Sequence, residues 1–120
     1  MKYLVGARGS KLSMAQTNWV ISELKKVNPN LEYEIKPITT KGDTDTRPLF
    51  TIEQKGIFEK EIDKAVAERE VDFAVHSLKD VPSQLADNLI IASIPKREKV
   101  NDVFISSDGS SLDKIKPGSI

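Results

Sequence analysis

The densest group of chemically able side chains lies in "VDFAVHSLKDVP", Val71 to Pro82, where a run of β-formers leads into the sole histidine, His76, and then Ser77, Lys79 and Asp80. A second group sits in "GARGSK", which follows another apolar run and carries Arg8 and Ser10. In open α/β sheets, ligands bind beyond the carboxyl ends of the strands, where loops converge and helix N-termini present N–H groups. A carboxylate, two kinds of cation and hydroxyls delivered to such a rim suit local, charge-based recognition of a small ligand. A lone histidine at a strand end, or a single Lys-Asp pair, is ordinarily structural. It is their combination at a rim, with Pro82 forbidding a regular continuation, that marks the stretch.

Two closer motif matches fail on spacing. A phosphate loop needs four residues between its glycines and a Lys followed by Ser or Thr, whereas "GARGSK" has two residues there and Ser before Lys. "GDTDTRP" begins like a calcium loop, with Asp43 and Asp45 two apart, but Pro48 stands at the glycine position and Gln54 at the bidentate glutamate position.

Composition narrows the field further. The 120 residues carry 18 basic and 18 acidic side chains, a formal charge of zero, so no global field draws in nucleic acid or a membrane surface. No cysteine is present, which removes disulfides, thiolate metal sites and thiol nucleophiles from this chain. Without a signal peptide or a long apolar run, the expected location is the cytoplasm.

The elements that must position these groups follow from periodicity. Tyr3 to Val5 reads as a buried strand broken at Gly6. Ser10 caps a helix whose apolar face is Leu12, Ala15, Trp19, Val20, Ile21 and Leu24, ending at "NPN". Leu31 to Ile35 alternates as a half-buried strand. A polar loop, Thr39 to Lys55, has the length of a lid. From Gly56, a second amphipathic helix gathers Ile57, Phe58, Ile62, Ala65 and Val66 on one face. The strand entering His76 comes next, then strand-length runs at Asn88 to Ile94 and Asp102 to Ser106. Strand and helix alternation predicts an α/β fold with right-handed crossovers on a largely parallel sheet. "PKREKVND" reads as a linker, and "KPGSI" leads toward a further strand, so a longer protein is expected to continue past Ile120.

"RGSKLSMAQ", "TKGD", "KGIFEKE" and above all "AVHSLKDVP" together resemble the amino-terminal part of the hydroxymethylbilane synthase (porphobilinogen deaminase) family, transferases of tetrapyrrole and heme biosynthesis. The resemblance runs in order along the whole chain. It implies an enzyme that joins four porphobilinogen molecules head to tail with loss of ammonia, building on a covalent dipyrromethane cofactor held by a cysteine of a third domain. It also implies a lobe like that of type II periplasmic binding proteins, with a mixed, largely parallel sheet flanked by helices. Residues 1–98 then form most of domain 1, and residues 99–120 form the crossing and the start of domain 2.

On the same resemblance, Asp80 is the catalytic carboxylate, contacting pyrrole nitrogens and stabilising the cation formed as ammonia leaves. Lys79 binds the acetate and propionate arms of the cofactor. Arg8 and Ser10 anchor substrate carboxylates, a task suited to the planar guanidinium fork. Gln16, Lys55 and Ser77 contribute further contacts and Phe58 an aromatic wall, while His76 stays structural.

The chain departs from the family's pattern at Glu53 and Gln54, where two glycines are usual, and at Lys99 and Val100, where Asp-Pro is usual. The cofactor cysteine and the second domain's paired arginines are not among these residues, so the chain alone is expected to be inactive. The expected partner is the small molecule porphobilinogen, with no nucleic acid, membrane or metal. The full-length protein is expected to be a monomer and the 120-residue chain to self-associate. The alternative reading is a noncatalytic lobe that binds a small carboxylate.

Overall fold

The first apolar run becomes the centre of a sheet. The computed structural model describes residues 1–44 and 59–118. Strand β1 (Lys2–Arg8) lies between β2 (Glu32–Ile38) and β3 (Phe73–Ala74), all parallel, in the order β2-β1-β3. Lys2 stands opposite Glu32 and Arg8 opposite Ile38, and on the other side Val5 and Gly6 stand opposite Phe73 and Ala74. A central parallel strand is covered on both faces, which is why "VGA" reads as a continuous buried run.

The expected break at Gly6 does not occur, and the strand continues to Arg8. Glycine serves close approach here, since a Cβ at Gly6 would stand 3.1 Å from Val71 Cγ2 and 3.4 Å from Ile38 Cδ1. Asp72 closes the start of the β1–β3 ladder from both sides: its N–H donates to the Leu4 carbonyl at 2.8 Å and its carboxylate accepts from the Leu4 N–H at 2.7 Å. Tyr3 and Tyr33, opposite each other in register, stack with centroids 5.9 Å apart, and Phe73 meets Tyr33 edge-on at 6.5 Å.

Helix α1 (Lys11–Val27) starts at Ser10, whose Oγ accepts from the Ser13 N–H at 3.3 Å, as its place in the sequence predicts. Lys25 and Lys26 in its last turn favour the helix dipole. Its buried stripe differs from the expected one. Thr17 and Ile21 are buried and Val20 and Leu24 half-buried, while Leu12 and Trp19 are 60% and 40% exposed and Ala15 is exposed too. Thr17 tolerates full burial because its hydroxyl donates to the Ser13 carbonyl at 2.8 Å, so a polar residue could take the place that hydropathy assigns to Leu12 and Trp19.

β2 alternates half-buried Tyr33 and Ile35 with exposed Glu32, Glu34 and Lys36, as the sequence predicts, and runs three residues past Ile35. A four-residue helix, α2 (Lys41–Thr44), opens the expected loop. Most of that loop, and Ile57 and Phe58 of the second amphipathic face, lie outside the described residues. Helix α3 (Lys60–Ala67) buries Ile62 and Ala65 and packs on β1 and β3. It ends in a Schellman turn, with the N–H of Arg69 bonded to the Val66 carbonyl and that of Glu70 to the Ala65 carbonyl. Arg69 takes the left-handed position, φ 60°, that glycine usually holds.

Chain direction across the sheet reverses between β1 and β3. Right-handed crossovers then put α1 and α3 on opposite faces, in agreement with the burial of β1 on both.

Beyond a 3-10 turn at Leu78–Asp80, the expected strands Asn88 to Ile94 and Asp102 to Ser106 do not form. Ile90, Ile94, Val103 and Ile105 are exposed there. A strand is stable only when a neighbour's edge takes its N–H and C=O groups, and among the described residues no strand pairs with these runs. The α/β class and the parallel sheet thus hold, with three strands among the described residues.

Candidate functional site

The reversal of direction between β1 and β3 creates a switch point, the place in an open α/β sheet where loops part and leave a crevice. Arg8 is the last residue of β1, and the segment His76 to Asp80 follows β3, so both leave the same edge of the sheet.

Each side chain there is held by local chemistry. The Ser77 hydroxyl donates to Gln16 Oε1 at 3.0 Å, tying the strand exit to α1. Leu78–Asp80 forms a single 3-10 turn, with the Asp80 N–H on the Ser77 carbonyl at 2.9 Å and the Val81 N–H on the Leu78 carbonyl at 3.2 Å. Lys79 on this turn is exposed and Asp80 half-buried. Pro82 lies just beyond it and bars its extension into a regular helix.

His76 faces the other way, toward α3. Its Nε2 lies 3.3 Å from Asp63 Oδ1, at contact distance but without hydrogen-bond alignment, and both side chains are mostly buried. Asp63 also lines an open cavity of about 460 Å³ between α3 and residues 82–89, with Glu59, Lys60, Pro82 and Leu89. That cavity holds none of the expected site residues.

The best-connected group at the edge is Arg8. Its Nε and Nη2 donate to Asp43 Oδ1 at 3.1 and 2.5 Å, while Asp43 Oδ2 accepts from the Thr40 N–H at 3.2 Å and the Thr40 hydroxyl at 2.7 Å. Burial works against the charged form of Asp43. The hydrogen bonds from Arg8 and Thr40 and the guanidinium charge outweigh it, so the carboxyl is held below its usual range.

Of the residues expected to form a site, Arg8, Ser77, Lys79 and Asp80 come to one sheet edge, and Gln16 reaches Ser77. Ser10 caps α1 one turn from β1. Lys55 and Phe58 lie outside the described residues. Thr40 and Asp43 are the two ends of the "TKGD" segment that contributes to the family resemblance, but no site role follows from it for either, and no sequence signal singles out Asp63. The Thr-x-x-Asp spacing of Thr40 and Asp43, which matches a capping box with Asp in the Glu position, was the signal that could have found the first pair.

As a donor set, a guanidinium, an ammonium and hydroxyls can bind carboxylates, and the Asp80 carboxylate can accept from N–H groups. Among the described residues no group of three or more His, Cys, Asp or Glu side chains is placed to hold a metal ion, and no helix is long and apolar enough to cross a membrane.

Comparison with known proteins bears on the same residues. The family model described as "Porphobilinogen deaminase, dipyromethane cofactor binding domain" matches residues 3–120. The chain is 79% identical over 120 residues to the "Probable porphobilinogen deaminase" of Nitrosopumilus maritimus, covering 100% of this chain. It is 46% identical to the "Porphobilinogen deaminase" of Brevibacillus brevis and 47% identical to that of Listeria monocytogenes, each over 99% of this chain. The chain spans 39% of the length of these relatives.

Proposed function

Because the chain belongs to the porphobilinogen deaminase family, we propose that it forms the cofactor- and substrate-binding part of a hydroxymethylbilane synthase, which joins four porphobilinogen molecules into a linear tetrapyrrole with release of ammonia. The observation that carries this is the family match over residues 3–120, together with the arrival of Arg8 and the Ser77 to Asp80 turn at one edge of the sheet. We read residues 1–98 as most of a first domain of the type II periplasmic-binding-protein kind, residues 99–120 as the crossing to a second, and the location as cytoplasmic.

When bound, the dipyrromethane supplies the primer from which the product chain grows. Arg8, Ser10, Ser77 and Lys79 would hold its carboxylate arms and those of the substrate. Asp80 would accept from pyrrole N–H groups, and its negative charge would offset the positive charge that develops on porphobilinogen as ammonia departs. Gln16 orients Ser77 through the bond between them. Lys55 and Phe58 complete the pocket in this reading. The 120 residues include no cysteine, so the thioether that holds the cofactor comes from a residue outside them, and the chain alone forms no tetrapyrrole.

The test is a chimaera in which this chain replaces the matching stretch of the Nitrosopumilus maritimus relative. It should release ammonia from porphobilinogen, and Asp80→Ala should slow turnover on the order of a hundredfold with an unchanged unfolding midpoint. Near-normal turnover in Asp80→Ala removes that residue's role. A folded chimaera that binds porphobilinogen without consuming it returns the chain to the class of carboxylate-binding lobes.

The same reading covers partners. The exposed apolar runs around Ile90 and Ile105 favour association of the 120-residue chain with itself, through exchange of the tail from Asp102 onward, whereas a protein of the relatives' full length is monomeric. Light scattering over a dilution series should show dimers or larger species of the chain, and a monomer at every concentration overturns this.

A further inference from the structure

Parallel pairing sets Arg8 opposite Ile38, and two residues later the chain reaches Thr40, which precedes α2. The register of the sheet therefore delivers the end of β1 to the start of a short helix. Thr40 and Asp43 form the carboxylate half of a capping box: Asp43 Oδ2 accepts from both the N–H and the hydroxyl of Thr40, the Asp43 N–H donates to the Thr40 carbonyl, and Thr40 is 1% exposed. One carboxylate oxygen is thus committed to a fixed, buried partner. The other is thereby aimed, and it accepts from Arg8 Nε and Nη2.

We infer that Asp43, locked by Thr40, is a positioning residue that sets the direction in which Arg8 presents its guanidinium to a ligand carboxylate. This rests on the reading of Arg8 as a carboxylate anchor. Two bonds from different guanidinium nitrogens to one fixed oxygen restrict both the swing and the spin of a side chain that otherwise has several freely rotating bonds. A carboxylate arriving at Arg8 then meets a group whose conformational freedom is already lost, and that loss no longer weakens its binding. The pair stays charged at neutral pH, since the Asp43 carboxyl is held below its usual range. A lysine in place of Arg8 could not be held in this way, because a single ammonium cannot face a fixed carboxylate and a ligand with two separate planar edges.

The experiment combines kinetics in the chimaera with NMR of the 120-residue chain. Asp43→Ala should raise KM for porphobilinogen roughly tenfold, the effect of losing a charge-assisted bond, with kcat within about twofold, and Asp43→Glu should recover part of the loss. Thr40→Val keeps the main-chain N–H but removes the hydroxyl, and should give an intermediate KM. In the chain alone, the Arg8 Nε–H resonance should exchange slowly with water, and in Asp43→Ala and Thr40→Val it should exchange faster. If Arg8→Ala raises KM while Asp43→Ala leaves it unchanged or lowers it, the inference fails and the anchoring role of Arg8 stands. An unchanged KM in Arg8→Ala removes the anchoring role, and the inference with it. If a variant does not fold in the chimaera, the NMR signal in Thr40→Val decides, and an unaltered exchange rate there overturns the inference.

Discussion

Val5 in "YLVGA" is fully buried, while Ile105 in "DVFIS", a run of similar apolar content, is 85% exposed. The two belong to regions that achieve order differently. The described residues from 2 to 80 are held by contacts between segments far apart in sequence: Leu4 with Asp72, Arg8 with Asp43, Gln16 with Ser77. Residues 82–118 are held by local turns, such as the Asp108 carboxylate accepting from the Ser110 N–H and hydroxyl, and the 3-10 turn Leu112–Lys114. An apolar run becomes a buried strand only when another segment offers both a hydrogen-bonding edge and a surface to cover, and among the described residues such pairs lie in the first region.

The same substitution placed in each region probes this contrast most strongly. Ile62→Ala, at a fully buried position on α3, should cost about 2–5 kcal/mol in denaturant unfolding, through lost burial and the cavity left behind. Ile105→Ala, in the second region, should stay within about 0.5 kcal/mol. Equal costs would mean that the second region is packed in solution and would break the distinction.

A smaller effect, of opposite sign, is expected at the turn that closes α3. Arg69 holds a left-handed conformation at φ 60°, where a Cβ costs about 1–2 kcal/mol relative to glycine. Arg69→Gly should raise the unfolding midpoint by up to that amount, less the entropy that glycine adds to the unfolded chain. Gly109, in the second region at φ 73°, already has the residue its turn requires, and Gly109→Ala should be destabilising there only locally.

The weakest expected effect is electrostatic. The Asp43 carboxyl lies below its unfolded value, so its contribution to stability is present above the ordinary carboxylate range and is lost as pH falls through the depressed folded value. Acid titration of the chain should therefore show a stability loss at low pH that Asp43→Asn diminishes. An identical acid profile in Asp43→Asn would show that the Arg8–Asp43 pair adds nothing to the fold.

Much of the first region is legible residue by residue. The alternation of Leu31 to Ile35 identifies β2, and Ser10 and the "NPN" break bound α1, because these signals depend on neighbours within a turn or a pleat. The inner face of α1 is less legible. Hydropathy favours Leu12 and Trp19, but the helix buries Thr17, whose hydroxyl is satisfied within the helix itself and so carries no polar cost inward. The site is legible as residue types and as a family resemblance in "AVHSLKDVP", while the partner of Arg8, 35 residues away, is not.

The amino-acid sequence by itself determined the α/β class, the caps and turns, the absence of any thiol chemistry from these residues, and the motif that places the chain in its family. Each of these depends on residue type or on spacing over a few positions. Only the tertiary structure decided that Gly6 continues a strand, that the runs at Asn88 and Asp102 stay unpaired, and that Asp43 meets Arg8. Those outcomes depend on register and on the order β2-β1-β3, where a slip of one residue turns every side chain to the opposite face, and no local pattern encodes which distant segment will lie alongside.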